Sequence, residues 1–200
     1  MSPVSADEFT DLMAGVCSQV TVVSTHVDGR PYGTTVTSFF SLSLDPPMVA
    51  VSLDRRSRLL DHALTAGRIG VNLLSEHQED VASRFAAKTD DKFNGAAWRL
   101  VEGLPYLYGV LGWLNCSVRE CVTAGDHRVL FCAVKRGSVR VPGARPLVYG
   151  ERRFGTHSAL SIAAARSDSR TGAGRPPHSE RTSVIPAEGP RPPGRPPTHG

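Results

Sequence analysis

The amino-acid sequence predicts a mainly β domain with a few short helices, followed by a tail of different composition. Apolar and β-branched runs of strand length recur through residues 20–149. Helical patterns are short and do not alternate strictly with the strands, as they would in a doubly wound fold. From about residue 161 prolines, glycines and arginines replace the large apolar residues. A closed or split β-barrel over residues 1–160 fits this order best.

The charge of the chain is uneven and argues against nucleic-acid binding. The formal net charge is +4, and residues 161–200 carry six Arg against one Asp and two Glu, a net of +3. Residues 1–160 therefore carry only +1, so the candidate domain is nearly neutral. We expect residues 161–200 to be a disordered tail, because 8 of the 15 prolines fall there. Binding of its PxxP-like pieces to an SH3-type domain is the alternative.

The first half of the domain is predicted to be strands with two short helices. Ser5-Ala6-Asp7-Glu8 has the pattern of a capping box and predicts a helix that ends at Gly15. Asp28-Gly29 between two β-branched runs predicts a hairpin. Ser57 is placed to cap a second helix, which Gly67 ends. The predicted strands cover residues 20–27, 32–39, 41–44, 48–53 and 69–74.

The second half is predicted to begin with a helix and to continue as strands. Ser75-Glu76-His77-Gln78 has the pattern of a second capping box, with a helix through Phe85. Residues 88–103 are polar and contain glycine, which predicts a surface loop. Strands are predicted over residues 109–119, 128–141 and 147–149.

The cysteines and the N-terminus bear on redox state and location. Cys17, Cys116, Cys121 and Cys132 form no CxxC pair and lie in apolar runs, so we expect four buried structural thiols and no metal site. No secretory h-region follows Met1, and no apolar run is long enough to cross a bilayer. We therefore expect a cytoplasmic protein without a membrane partner.

Familiar catalytic signatures are missing, and two unusual segments suggest a binding site instead. The chain has no GxGxxG after a strand and no GxxxxGK[ST], GxSxG or HExxH. Residues 33–39 are rich in hydroxyls although they lie between strand-like runs. Residues 54–58 place three arginines and Ser57 at a predicted helix start. Such a helix start suits a phosphate group, the alternative being a solvated basic turn.

The order of several segments resembles the flavin reductase-like family. The segments are Thr34–Phe39, Ser41–Pro47, Val71–Leu74, Gln78, Phe85-Ala86, Asp91–Phe93 and Gly125–His127. They keep similar spacing over about residues 7–158, and the nearest look-alikes are small reductase components of two-component aromatic hydroxylases. The resemblance implies a split β-barrel that forms a homodimer and holds FMN or FAD near the subunit interface. It also implies a flavin-dependent monooxygenase as the partner that receives reduced flavin.

The resemblance further implies which residues form the site. Those expected to line the isoalloxazine ring are Pro31, Tyr32, Gly33, Thr34, Thr35, Thr37 and Ser38. Those expected along the ribityl chain are Ser52, Leu53 and Asp54, and those at the phosphate end are Ser57, Arg58 and Leu59. Arg84 and Phe85 are expected at the tail of the cofactor. His127 is expected beside the nicotinamide, with Tyr149 and Phe154 nearby by a looser match.

Direct hydride transfer would explain why the sequence is short of acid–base groups. Hydride moves from nicotinamide C4 to flavin N5, so the protein supplies binding and orientation, and no catalytic residue is predicted. The preferred function is NAD(P)H:flavin oxidoreductase, with NADH or NADPH as the donor. One alternative is a flavin-binding protein without reductase activity. Another is an enzyme like the pyridoxamine-phosphate oxidases, whose phosphate-binding Arg and Lys set is not found here.

The chain departs from the family pattern after Leu147-Val148-Tyr149. The family often has a Gly followed by an aromatic residue at this point. Here Gly150 is followed by Glu151-Arg152-Arg153. The departure concerns the nicotinamide side of the expected site and leaves the flavin-binding segments unaffected.

Overall fold

The computed structural model describes residues 3–138 and 143–157, and most of their regular structure is β. The described helices are α1 (Ala6–Ala14), α2 (Arg58–Ala66) and α3 (Glu79–Ala86). The described strands are β1 (Ser18–Gln19), β2 (Thr21–Val27), β3 (Arg30–Val36), β4 (Phe39–Leu44), β5 (Pro47–Asp54), β6 (Arg68–Leu73), β7 (Trp98–Val101), β8 (Leu104–Leu107), β9 (Gly112–Ala124), β10 (His127–Gly137), β11 (Leu147–Gly150) and β12 (Arg153–Thr156). The prediction of a mainly β domain with a few short helices is confirmed.

A seven-stranded antiparallel sheet forms the body of the domain, in the order β3-β2-β6-β9-β10-β5-β4. Its edge strands β3 and β4 follow each other in the chain and are joined only by Thr37 and Ser38. The sheet must therefore curve until its two edges approach at this link. Within the described ranges no ladder joins β3 to β4, so the curved sheet stays open between them, as in a split barrel.

Two short sheets complete the β structure. Strands β1, β11 and β12 form one antiparallel sheet, and β7 pairs with β8 in the other. The predicted Asp28-Gly29 hairpin is present between β2 and β3, with both residues at positive φ. The start of the strand predicted over residues 128–141 is confirmed by β10, whereas residues 139–142 lie outside the described ranges, as does the predicted tail.

The first hydrophobic core lies between the seven-stranded sheet and α2. Leu59, Leu60 and Ala63 of α2 are buried against apolar side chains of the sheet, among them Val23, Val49, Val51, Leu53, Ile69, Val71 and Leu130. As predicted, Ser57 is the N-cap residue and Gly67 ends the helix at φ +64°, but the Ser57 side chain makes no capping hydrogen bond. Burial of one face of α2 therefore fixes where its N-terminus points.

A second core lies beneath α3 and the β7–β8 hairpin. Phe85 is fully buried, and its ring meets the Phe93 ring edge to face at 4.8 Å. Leu104, Trp113 and Leu147 belong to the same cluster. Because Phe85 and Ala82 are the buried residues of α3, the remaining face of that helix is free to border a cavity.

Two predictions between β6 and β9 were wrong. The second capping box does not form, because α3 begins at Glu79 with Gln78 at its N-cap, and no side chain caps it. One of the two expected bonds is present, since the Gln78 side chain accepts from the Ser75 N–H, but the Ser75 hydroxyl donates to the Gly109 carbonyl and does not accept from the Gln78 N–H. The segment 88–103 is not all loop, since it contains β7. The strand is short, and polar residues and glycine dominate the rest of the segment.

A buried polar network anchors the β7–β8 hairpin to the sheet. The Asn72 side chain accepts a hydrogen bond from Leu107 N–H and donates to the Pro105 carbonyl. Ser24 Oγ and Trp113 Nε1 donate to the same Pro105 carbonyl. These bonds satisfy polar groups that would be costly to bury unpaired.

The N-terminal segment lies on the surface. The predicted capping box is present, with Ser5 and Glu8 exchanging hydrogen bonds, but no residue of α1 is buried.

Cys116 and Cys132 are buried, and burial raises the pKa of each thiol to about 12. Cys17 is exposed and Cys121 half-buried, so the prediction of four buried thiols was wrong for these two. Among the described residues no helix is long and apolar enough to span a membrane.

Candidate functional site

A cavity of about 650 Å³ lies where the edges of the seven-stranded sheet approach each other. Residues from β3, β5, α2, α3, β10 and the β11–β12 hairpin border it. Its lining residues are Val20, Thr34, Thr35, Val36, Thr37, Ser38, Ser52, Leu53, Asp54, Ser57, Ser83, Ala86, His127, Tyr149 and Phe154. A volume of this size is within the range of about 300–1,000 Å³ that holds cofactor-sized ligands.

One wall of the cavity is the hydroxyl-rich end of β3 and the link to β4. Thr35 Oγ1 donates to the Ala82 carbonyl of α3 at 2.7 Å, and Ser38 Oγ donates to the Ser52 carbonyl of β5 at 2.6 Å. These two hydroxyls hold the wall to its neighbours. Thr37 is exposed, and within the described ranges its hydroxyl has no hydrogen-bond partner, so it is free to meet a ligand.

A second wall is formed by the end of β5 and the start of α2. Ser57 N–H donates to the Asp54 carbonyl at 2.8 Å, which turns the chain from the strand into the helix. The Ser57 hydroxyl makes no hydrogen bond to the helix, although Ser57 is the N-cap residue. Ser57, with this uncommitted hydroxyl, therefore lines the cavity at the positive end of the α2 dipole, a position that suits an anionic group.

Asp54 is held charged at this wall by Arg56. The Arg56 side chain donates to both carboxylate oxygens and its backbone N–H donates to one of them. These hydrogen bonds lower the pKa of Asp54 to about 2. The carboxylate is thus an acceptor throughout the neutral range and faces ligand hydroxyls more favourably than ligand anions.

His127 begins β10 and reaches the cavity from the strand next to β5. Its Nδ1 lies 2.7 Å from an Asp126 carboxylate oxygen. This hydrogen bond lowers the pKa of Asp126, so the carboxylate stays charged near neutral pH. The charged carboxylate in turn orients the imidazole ring. The side chain of His127 is 42% exposed, so the other edge of the ring is open to a ligand.

Two aromatic side chains close the remaining side. Tyr149 of β11 and Phe154 of β12 are directly opposite in the ladder, and their ring centroids are 5.2 Å apart. Their hairpin belongs to the small β1-β11-β12 sheet and not to the main sheet. The cavity therefore has hydroxyls on one side and aromatic rings on another.

Seven of the residues expected at the site do not line this cavity. They are Pro31, Tyr32, Gly33, Arg58, Leu59, Arg84 and Phe85. The Leu59 and Phe85 side chains are buried in the two cores. Gly33 also faces the second core, since a Cβ there would lie 3.0 Å from the Phe85 ring.

The other side chains among the seven have partners elsewhere. Tyr32 stacks on the His62 ring with centroids 3.6 Å apart. Arg58 forms an ion pair with Asp90. Arg84 donates to the Asn94 carbonyl at 2.8 Å. Local sequence could not reveal these partners, because each is ten or more residues away.

The sequence analysis missed Val20, Val36, Ser83 and Ala86 of the lining residues. Ser83 and Ala86 lie three apart on α3, on the face not buried in the second core. The helical period of 3.6 residues places them one position beyond the buried Ala82 and Phe85. This helical phase is the sequence signal that places Ser83 and Ala86 on the face bordering the cavity.

The fold and the site together define a β domain with a polar cavity beside a helix start. Three features meet at one cavity: the hydroxyls of Thr37 and Ser57, the carboxylate of Asp54 and the imidazole of His127, which is hydrogen-bonded to Asp126. No cluster of metal-ligating side chains is present in the described part of the chain. Such a site can bind a ligand and orient it.

The chain belongs to the flavin reductase-like family: residues 13–158 match the model of the flavin reductase like domain. It is 39% identical to the reductase subunit HsaB of a flavin-dependent monooxygenase from Mycobacterium tuberculosis, over 69% of this chain and 74% of that protein. It also spans 39% of the length of a longer relative from Rhizobium meliloti, at 39% identity. A solved NADH:FAD oxidoreductase of Streptomyces globisporus, in complex with NAD and FAD fragments, has a TM-score of 0.74 and 25% identity, covering 80% of this chain and 98% of that one.

These comparisons confirm the resemblance drawn from the segment order. The expected fold class and the expected enzyme class, an oxidoreductase that reduces flavin, are those of the family.

Proposed function

We propose that this chain is an NAD(P)H:flavin oxidoreductase whose cavity holds FMN or FAD and receives the nicotinamide beside it. The observation that carries the proposal is the convergence of Thr37, Ser57 and His127 on one cavity. These residues come from three separate segments, and the sequence resemblance had assigned them to ring, phosphate and nicotinamide. The Streptomyces globisporus relative was solved with fragments of both cofactors, which supports the pairing of ligands.

The residues present fit a flavin. The hydroxyls of Thr34, Thr35, Thr37 and Ser38 form a polar wall for the ring edge, and Ser52 and Asp54 offer acceptors for ribityl hydroxyls. Ser57 and the α2 N-terminus would hold the phosphate. When bound, the flavin supplies the chemistry by accepting hydride at N5.

The nicotinamide is proposed to lie on the side of His127, Tyr149 and Phe154. Asp126 orients the His127 ring, so its open edge can donate to or accept from the carboxamide. The two aromatic side chains cover the apolar part of the ring and exclude water from it. No residue needs to move a proton for hydride to pass between two rings held in contact, so proximity accounts for the rate.

A flavin-dependent monooxygenase is proposed as the partner that takes the reduced flavin. Relatives include the reductase subunit from Mycobacterium tuberculosis and the reductase component of a trigonelline monooxygenase from Acinetobacter baylyi. A cytoplasmic location is part of the same proposal. The assay described below compares FMN with FAD and NADH with NADPH.

A homodimer is proposed because large apolar side chains are exposed on two elements. Phe40 and Leu44 of β4 are 52% and 89% exposed, and Phe9 and Leu12 of α1 are exposed by 53% and 71%. A second copy would remove this surface from water. Light scattering should give twice the chain mass of 21.5 kDa. A monomer mass at micromolar concentration would contradict the dimer.

The direct test mixes the purified protein with each flavin and each nicotinamide and follows absorbance of the reduced nicotinamide. Oxidation above the uncatalysed rate in at least one of the four pairings is expected. Flavin binding without oxidation in any pairing would favour the non-catalytic flavin-binding protein. Oxidation that leaves free flavin unreduced but consumes a second substrate would favour the oxidase-like alternative.

A further inference from the structure

The turn between β11 and β12 has an unusual backbone. Glu151 and Arg152 both have positive φ, at 49° and 59°. Two-residue hairpin turns of this kind favour Asn-Gly, because side chains with a Cβ are strained in the left-handed region. The sequence here has neither Asn nor Gly at these positions. Such strain persists only where surrounding contacts hold it in place.

The contacts that hold the turn come from α1 and the residues after it. The Glu151 N–H donates to the Ala14 carbonyl at the end of α1. The Arg152 guanidinium forms an ion pair with Asp11 of α1. Gly150 packs so closely on Cys17 that a Cβ at Gly150 would lie 3.2 Å from the Cys17 Cα. The turn is thus attached to α1 by one backbone bond and one ion pair.

The strands that flank this turn carry the aromatic wall of the cavity. Tyr149 precedes the turn and Phe154 follows it, and the two are ladder partners. Tyr149 is also the ladder partner of Ser18 in β1, which continues the segment from α1. A shift of the turn would therefore move both rings relative to His127 and the main sheet.

We propose that Asp11 and Arg152 are positioning residues, which hold the β11–β12 turn against α1 and thereby set Tyr149 and Phe154 for the nicotinamide. The inference rests on the proposed function, because it concerns the nicotinamide side of that site. It assigns a role to the Glu-Arg-Arg segment at which the chain departs from the family pattern. We call the Asp11–Arg152 pair the clamp. Because the proposed flavin side lies on the main sheet, the clamp should affect binding of the nicotinamide and not of the flavin.

Salt provides a first readout. The Asp11 and Arg152 side chains are 72% and 61% exposed, so their attraction is screened by ions. Raising the salt concentration should therefore raise the nicotinamide KM of the wild type more than that of Arg152→Gln. If the Asp11–Arg152 pair had no effect on the nicotinamide side, salt would change the nicotinamide KM equally in the wild type and in Arg152→Gln.

Single substitutions provide the second readout. Arg152→Gln and Asp11→Asn should each raise the nicotinamide KM about threefold, the effect of a surface pair, with the flavin Kd and kcat unchanged. Their double variant should be no worse than either one. Asp11→Glu keeps the charge, so its nicotinamide KM should stay close to that of the wild type. Arg136→Gln, which breaks the exposed Arg136–Glu102 pair away from the cavity, is the matched control and should change neither constant.

The variant Glu151→Asn/Arg152→Gly separates positioning from stability. Asn-Gly suits the turn, so the melting temperature should stay or rise, whereas loss of the ion pair should still raise the nicotinamide KM. A wild type that oxidises NAD(P)H normally, with an unchanged nicotinamide KM in this variant and in Arg152→Gln, would overturn the clamp alone. A wild type without oxidation in any pairing would overturn the proposed function and the clamp together.

Discussion

His127 and Asp54 lie directly opposite each other where β10 pairs with β5, and both border the same cavity. Each has a different partner: Asp126 for His127, and Arg56 for Asp54. The hydrogen bonds of these two cavity side chains therefore go to different partners. Antiparallel pairing brings the proposed nicotinamide side and the proposed ribityl side to one position of the sheet.

Replacing His127 tests the nicotinamide side. His127→Ala should raise the nicotinamide KM about fivefold, as expected for the loss of one hydrogen bond of about 1 kcal/mol, and should change the flavin KM by less than twofold. His26→Ala is the matched control, because His26 lies on β2 and does not line the cavity. Steady-state rates at fixed saturating flavin measure both effects. An unchanged nicotinamide KM would remove His127 from the site.

Thr37 and Ser38 should respond differently although they are neighbours. The Thr37 hydroxyl has no partner in the described part of the chain, so Thr37→Val should weaken flavin binding about fivefold and leave the free energy of unfolding unchanged. The Ser38 hydroxyl bonds the Ser52 carbonyl, so Ser38→Ala should also lower the free energy of unfolding by about 1 kcal/mol. Flavin fluorescence titration and urea unfolding give the two quantities. Equal effects of the two substitutions on stability would contradict this assignment.

Phe85 should behave as a core residue. Phe85→Ala removes a fully buried ring that packs on Phe93, and should cost about 3–5 kcal/mol of unfolding free energy. Phe85→Leu keeps most of the volume and is the variant for flavin titration, where the Kd should stay within twofold. A large loss of flavin affinity in a folded Phe85→Leu protein would return this residue to the cofactor site.

Asp54 should contribute to acid sensitivity. Its pKa is lowered to about 2 by Arg56, so its ionised form stabilises the folded protein above the ordinary carboxylate pKa. That contribution is lost as pH falls from about 4 to about 2. Asp54→Asn should therefore lose less stability than the wild type between pH 5 and pH 2. Urea midpoints at the two pH values measure the difference, and equal losses would argue against the Arg56 contact in solution.

Local sequence patterns predicted the elements where neighbours in the chain decide the structure. Three such features depend on backbone geometry within a few residues. They are the capping box at Ser5, the hairpin at Asp28-Gly29 and the bounds of α2 at Ser57 and Gly67. The false capping box at Ser75 shows the limit of this reasoning. There the hydroxyl of Ser75 donates to the Gly109 carbonyl, 34 residues away, and does not cap the helix.

The sequence by itself determined the mainly β class, the Asp28-Gly29 hairpin and the order of segments that marks the family. Only the tertiary structure decided which of the expected residues share a cavity, because this depends on how far the sheet curves and on which face of α3 is buried. Arg58 and Arg84, both expected at the site, pair in the structure with Asp90 and with the Asn94 carbonyl, and neither lines the cavity. Long-range partners compete for the same side-chain groups as a ligand, and a linear pattern carries no record of that competition.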